Sequence, residues 1–175
     1  MPSLSPGTIA ILLAACGCAA WTDLRTGLIP NRLTAIAAMA GLVVAGIEGG
    51  VRGLAAGVCG ALVAALVPLL LFRKNAMGGG DVKLFLAIGA ISGTAMALEI
   101  QMMAFATGSL FGIGLWIRRG LLTHKVAAFA GFCRRRFRAA DAAEERTEIR
   151  FAPFILMAAL MVIAAHALRT EVLPW

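Results

Sequence analysis

The sequence predicts an all-α, polytopic membrane helical bundle of about six transmembrane helices, with both termini outside. Three observations carry this. Hydrophobic residues make up 61% of the 175 positions. They fall into stretches close to the roughly 20 residues that cross a hydrocarbon layer. The basic residues gather between alternate stretches. Backbone groups find no water partner in lipid, so spans of this kind form helices, and the alternating pattern of a barrel strand is absent.

The first stretch, 4–21, has no basic residue ahead of it and is read as a retained helix rather than a secretory signal. It closes on Asp23 in WTDLRTGLIPNRLT. Within that run, Ile29–Pro30–Asn31 ends one helix and starts the next, because proline is tolerated in a first helical turn. The second stretch, 33–47, is short and alanine-rich, and Glu48 and Arg52 beyond it have the i, i+4 spacing of a local ion pair. The third, 54–72, leads through Arg73 and Lys74 into AMGGGDVK. The fourth, 82–98, opens directly after Asp81, and Glu99 marks a short outer turn before the fifth, 100–117. A long basic segment, 118–150, precedes the sixth, 151–168, which is entered through RFAPFILMA. Residues 1–175 are read as one integral membrane domain, in which abundant Gly and Ala allow close helix approach.

The net charge of +7 does not indicate nucleic-acid binding, because the charges are segregated. Of the 16 Lys and Arg residues, only Arg52 and Arg169 fall on one side of a six-span arrangement. The rest lie in three loops on the other side, which the positive-inside rule places in the cytoplasm. Cys16, Cys18, Cys59 and Cys133 form no CxxC pair; three lie inside the proposed spans, and they are read as small buried hydrophobes rather than zinc ligands. No metal and no organic cofactor is expected.

Asp23 and Asp81 stand apart from the other acids. Each flanks the cytoplasmic end of a span among apolar neighbours, and acids at that depth are costly and usually functional. Two carboxyls brought together in low dielectric tend to hold a single proton. The ionised member then takes a proton from an attacking water while the protonated member donates to a carbonyl oxygen. Such a pair titrates as a unit. Gly78, Gly79 and Gly80 have no Cβ, so an extended substrate backbone can approach, and their freedom suits a loop entering the membrane surface. A plain turn with Asp81 capping the next helix explains GGGD by itself equally well.

DLRTGLIPN followed by GGGDVKLFLAIGAISG resembles the GxGD-type membrane aspartic peptidases, and more narrowly the type IV prepilin peptidases, or leader peptidases. Gly78–Asp81 fits G-x-G-D, Lys83–Leu84 also matches, and RFAPFILMA resembles the family's proline-containing entry to the last span. The resemblance implies that Asp23 and Asp81 are the catalytic pair. Gly78, Gly79, Gly80, Lys83, Pro30 and Asn31 would support the loops around them. It also implies a substrate, the short basic leader of a type IV prepilin or pseudopilin, cut beside its hydrophobic helix at a bacterial inner membrane. The loop Asp23–Arg32 is too short for the paired-cysteine segment of longer members. The chain therefore resembles the compact form of tight-adherence (Flp-type) pilus systems, and the N-methylation of longer members is not expected of it. The sequence leaves room for a homo-oligomer.

In the segment 118–150, Val126, Phe129, Ala130, Cys133 and Phe137 follow helical spacing beside Arg134, Arg135, Arg136 and Arg138. That pattern suits an amphipathic helix on anionic lipid. Asp141, Glu144, Glu145 and Glu148 form an acidic stripe that either balances those arginines or steers a basic leader inward. A proton- or ion-coupled transporter is the rival class, and it requires acids along a path reaching both faces. His166 is read as a packing histidine on the side away from the aspartates. If the stripe steers, replacing Glu144, Glu145 and Glu148 with Lys slows leader removal most at low salt; an unchanged rate removes the idea.

Overall fold

The computed structural model describes residues 5–118 and 150–172. Four α-helices are present among them: α1 (Pro6–Thr26), α2 (Asn31–Arg73), α3 (Gly79–Arg118) and α4 (Ala152–Val172). The all-α class is as expected. Three of these helices are long and apolar enough to cross a membrane, and the apolar part of α4, Ala152–Leu168, is shorter. Inter-residue contacts divide the chain into two units, Met1–Phe105 with Arg150–Trp175, and Ala106–Ile149. In the second unit the described residues are helical and carry exposed Leu110, Phe111, Ile113 and Ile117.

The helix α1 starts at Ser5, whose Oγ accepts from the Thr8 N–H at 3.2 Å, with Pro6 in the first turn. It ends at Gly27, whose N–H donates to the Asp23 carbonyl at 2.9 Å. Its buried residues, Thr8, Leu12, Ala15, Cys16, Ala19, Ala20 and Asp23, recur with the helical period and form one inward stripe.

At 43 residues, α2 would be about 65 Å long if straight, twice the thickness of a hydrocarbon core. It is not straight. Gly50 has φ 57°, ψ −143°, a conformation that interrupts the helix and that glycine adopts without strain. The two arms fold back on each other: a Cβ at Gly57 would meet Leu42 Cδ2 at 3.1 Å and Ala45 Cβ at 3.6 Å. The break falls between Glu48 and Arg52, so the expected i, i+4 ion pair is not formed.

Likewise, α3 breaks at Gly93, φ 73°. The rings of Phe85 and Phe105 lie 5.7 Å apart, whereas a continuous helix would hold those positions about 30 Å apart. The chain therefore doubles back at Gly93. This corrects the sequence reading, which placed the turn at Glu99. Glu99 is helical and pairs with His166 at 3.2 Å. A charged residue suggested the turn, but the backbone turned where a side chain was absent.

The core is built of small residues and a few large ones. Leu12, Leu84, Phe85, Ile88, Ile100 and Ile155 are fully buried, interleaved with alanines along all four helices. Large apolar side chains such as Ile36, Val43, Ile47 and Leu62 point outward instead, as suits a lipid-facing surface. Backbones touch where the second arm of α2 crosses the first arm of α3, with Gly60 and Gly89 in mutual contact. Of the cysteines described, Cys16 is buried, but Cys18 and Cys59 are exposed, against the expectation that those inside spans would pack inward.

One polar contact inside this core follows from a missing hydrogen. Pro68 lies within α2 and has no N–H to give the carbonyl four residues earlier, that of Ala64. Gln101, 2% exposed, supplies the donor: its Nε2 reaches the Ala64 oxygen at 3.3 Å. Neighbouring helices are the usual means of satisfying a backbone group freed by proline in an apolar medium. Replacing Gln101 with Leu should destabilise the chain by about 1 kcal/mol, measured as a lowered unfolding temperature in detergent. Adding Pro68→Ala, which restores the N–H, should recover most of that loss; independent effects of the two substitutions would show that the contact does not carry the carbonyl.

Candidate active site

Asp23 lies in the last turn of α1, on the stripe that faces inward. It is 7% exposed and is the one charged side chain among the buried described residues. Its Oδ2 accepts from the main-chain N–H of Ala152, the first residue of α4, at 3.2 Å. The first turn of a helix leaves N–H groups without internal partners and carries partial positive charge. A buried carboxyl is therefore matched with a buried donor.

Asp81 enters by another route. α2 ends in a Schellman turn, with Ala76 N–H to the Leu71 carbonyl and Asn75 N–H to the Phe72 carbonyl, both 2.9 Å, and Asn75 at φ 55°. The chain then reaches Gly78, whose carbonyl accepts the first bond of α3, from the Val82 N–H at 3.4 Å. Asp81, half-buried, sits three residues into that start, and its carboxyl accepts from the Gly78 N–H. This is half of a capping box. Asp81 was expected to be the cap itself; it lies instead within the first turn of α3 and reaches back to the capping residue, and the Asp23 carboxyl acts on it electrostatically.

The remaining anticipated loop residues converge on the same place. Pro30 immediately precedes α2, and its carbonyl accepts from Leu33 and Thr34 at 3.1 and 3.4 Å. Lys83 Nζ donates to Asn31 Oδ1 at 2.7 Å, joining the start of α3 to the start of α2. A Cβ at Gly80 would stand 3.0 Å from Ile29 Cβ, and one at Gly79 would stand 3.2 Å from the Phe72 ring. None of these three glycines has positive φ. Backbone freedom is therefore not what this structure uses in them; at Gly79 and Gly80 the absent Cβ leaves room for Phe72 and Ile29. Glu144, Glu145 and Glu148 lie outside the described residues, as does the segment 119–149 that holds them.

Two groups escaped sequence reasoning. The Ala152 N–H carries no side-chain signal, and only the sequence around it, RFAPF, drew notice. The Glu99–His166 pair borders a cavity of about 400 Å³ lined by Leu98, Met102, Met103, Met161, Val162 and Ala165. His166 is about 21 Å along α4 from Ala152, so this cavity lies well away from the aspartates. Among the described residues, the buried side chains other than Asp23 are apolar apart from Gln101 and two threonines. Among the described residues, no three His, Cys, Asp or Glu side chains gather to hold a metal.

Chemically, two interacting carboxyls can share a proton and present a donor beside an acceptor. Comparison with known families gives a match: the model of the type IV leader peptidase family covers residues 10–117, which include Asp23, Pro30, Asn31, Gly78, Gly79, Gly80, Asp81 and Lys83 but not Glu144, Glu145 or Glu148. Comparison with curated proteins and with solved structures gives no match.

Two glycine substitutions separate packing from chemistry at this site. Gly80→Ala presses on the branched carbon of Ile29 and should cost about 1–3 kcal/mol of stability by overpacking. A Cβ at Gly78 would meet only Asp81 Oδ2, at 3.1 Å. Gly78→Ala should therefore leave the unfolding temperature nearly unchanged while lowering turnover. Thermal unfolding and a cleavage assay on both variants check this contrast.

Proposed function

We propose that the chain, which belongs to the type IV leader peptidase family, is an aspartic endopeptidase that removes the basic leader of a type IV prepilin or pseudopilin. Asp23 and Asp81 are the catalytic pair. The observation that carries this reading is that a buried and a half-buried carboxyl, far apart in sequence, both stand where the turn after α1 meets the start of α3, at the Gly80–Ile29 and Lys83–Asn31 contacts. The ionised carboxyl takes a proton from water as the oxygen attacks the scissile carbonyl. The protonated carboxyl donates to the carbonyl oxygen, and a proton then passes to the leaving amine. No side-chain nucleophile is needed.

The reading extends to topology. The two folded-back helices, with α1 and α4, supply six helical arms, which we take as six spans with both termini outside. Both aspartates then face the cytoplasm at the boundary of a bacterial inner membrane. A leader attached to a single apolar helix presents its scissile bond at that depth, out of reach of a soluble protease. Gly78, Gly79 and Gly80 keep the approach to Asp81 narrow but open, and Lys83 with Asn31 holds the opposing turn. The whole chain acts as one peptidase domain, of the compact form found with tight-adherence pili, and has no methyltransferase role. The basic segment 118–150 rests on anionic lipid.

Co-expression with a candidate prepilin tests the reading, with leader loss followed by gel shift. Asp23→Asn and Asp81→Asn should each abolish processing while the protein remains in the membrane fraction. Normal cleavage by either variant would falsify the dyad.

A further inference from the structure

The proposed reaction uses two carboxyls but leaves unexplained why the entry to α4 is built as it is. Pro153 has no N–H. The N–H groups of Phe154 and Ile155 both donate to the Phe151 carbonyl, at 3.0 and 3.3 Å. Within this turn, Ala152 is the residue whose N–H goes to another helix, and its acceptor is Asp23 Oδ2, 129 positions away. Ala152 has no exposed surface, so water cannot replace that acceptor, and an unmatched buried N–H is costly.

The residue before it is fixed as firmly. The Phe151 ring packs against Phe85 at 6.4 Å, Phe105 at 5.8 Å and Phe154 at 6.1 Å, all in tilted geometry. Such ring pairs prefer offset or tilted contact and resist sliding. Phe85 stands one helical turn after Asp81. A continuous chain of contacts therefore runs from Asp81 along α3 to Phe85, across to Phe151, and through Ala152 to Asp23.

We propose that Ala152, through its main-chain N–H, and Phe151, through its ring, are positioning residues that set the separation and orientation of the Asp23–Asp81 pair. This rests on the reading of those aspartates as the reacting acids. In this assignment both act through the aspartates. Ala152 holds one carboxyl by a hydrogen bond, and Phe151 ties Ala152 to the helix carrying the other. Distance between the two acids is thereby governed by a third helix, which carries neither member of the pair.

The donor is a backbone group, so only proline removes it. Position 152 is the first of the helix, where proline is well tolerated. With the purified full chain in lipid vesicles and a candidate prepilin, Ala152→Pro should lower kcat about 10- to 100-fold, the cost of losing one hydrogen bond to a charged group. KM should stay near the original value. Ala152→Gly, which keeps the N–H, should retain most of the rate, and Phe151→Ala should lower kcat with KM likewise little changed. A second measurement does not depend on the proline variant folding. In the ¹⁵N-labelled protein the Ala152 amide resonance should move as the aspartates titrate, and that movement should vanish in Asp23→Ala. Full kcat in Ala152→Pro, or an amide resonance indifferent to Asp23→Ala, would overturn the assignment. Should Asp23→Asn still cleave, the catalytic reading fails first; should Asp23→Asn be inactive while Ala152→Pro is fully active, the positioning role alone is lost.

Discussion

A carboxyl withdrawn from water must find a donor, and the contact between Asp23 and the Ala152 N–H meets that demand for both partners. Neither group is stable alone in this setting. A buried carboxylate without a hydrogen bond costs several kcal/mol, and a buried N–H without an acceptor costs a little less. Their union fixes α4 to the end of α1, and the aromatic cluster at Phe85, Phe105 and Phe151 fixes the start of α3 against the same point. The environment of both aspartates depends on that junction.

The same constraint explains features remote from the acids. In an apolar core every polar group has to be answered by another part of the protein. Pro68 frees a carbonyl, and Gln101 answers it from a different helix. Asn75 takes a left-handed turn that lets two carbonyls at the end of α2 be capped before the chain enters Gly78. Glu99 and His166, at the other end of the fold, are each other's partner. These contacts are few, and each one joins segments or closes a helix end. That economy follows from the medium, because apolar burial gives little drive for helix association in lipid and packing with scattered hydrogen bonds must supply it.

Much of the candidate site was legible along the chain. Asp23 and Asp81 stood out because ionisable side chains are expensive beside apolar runs, and Pro30, Asn31 and the three glycines marked the turns next to them. The all-α class was legible from the length of the apolar stretches. Where the reading erred, it relied on charge to locate a turn. Glu99 suggested a loop, but it is helical and pairs with the half-buried His166 on α4, and the chain reverses at Gly93 instead. Glu48 and Arg52 suggested a helical pair, but Gly50 separates them. In both cases a glycine with positive φ decided the matter.

The sequence by itself determined that the chain is helical and apolar, that its charges are segregated, and that two acids sit at the ends of apolar stretches. These properties reside in single residues and their spacing, which composition and period express directly. Only the tertiary structure decided what each acid meets. Asp23 faces a main-chain N–H on a helix 129 positions later, and Asp81 reaches back to Gly78 while lying within the field of Asp23. A backbone donor has no letter in the sequence, and electrostatic reach between distant positions depends on how four helices pack. Those relations exist only once the chain is folded.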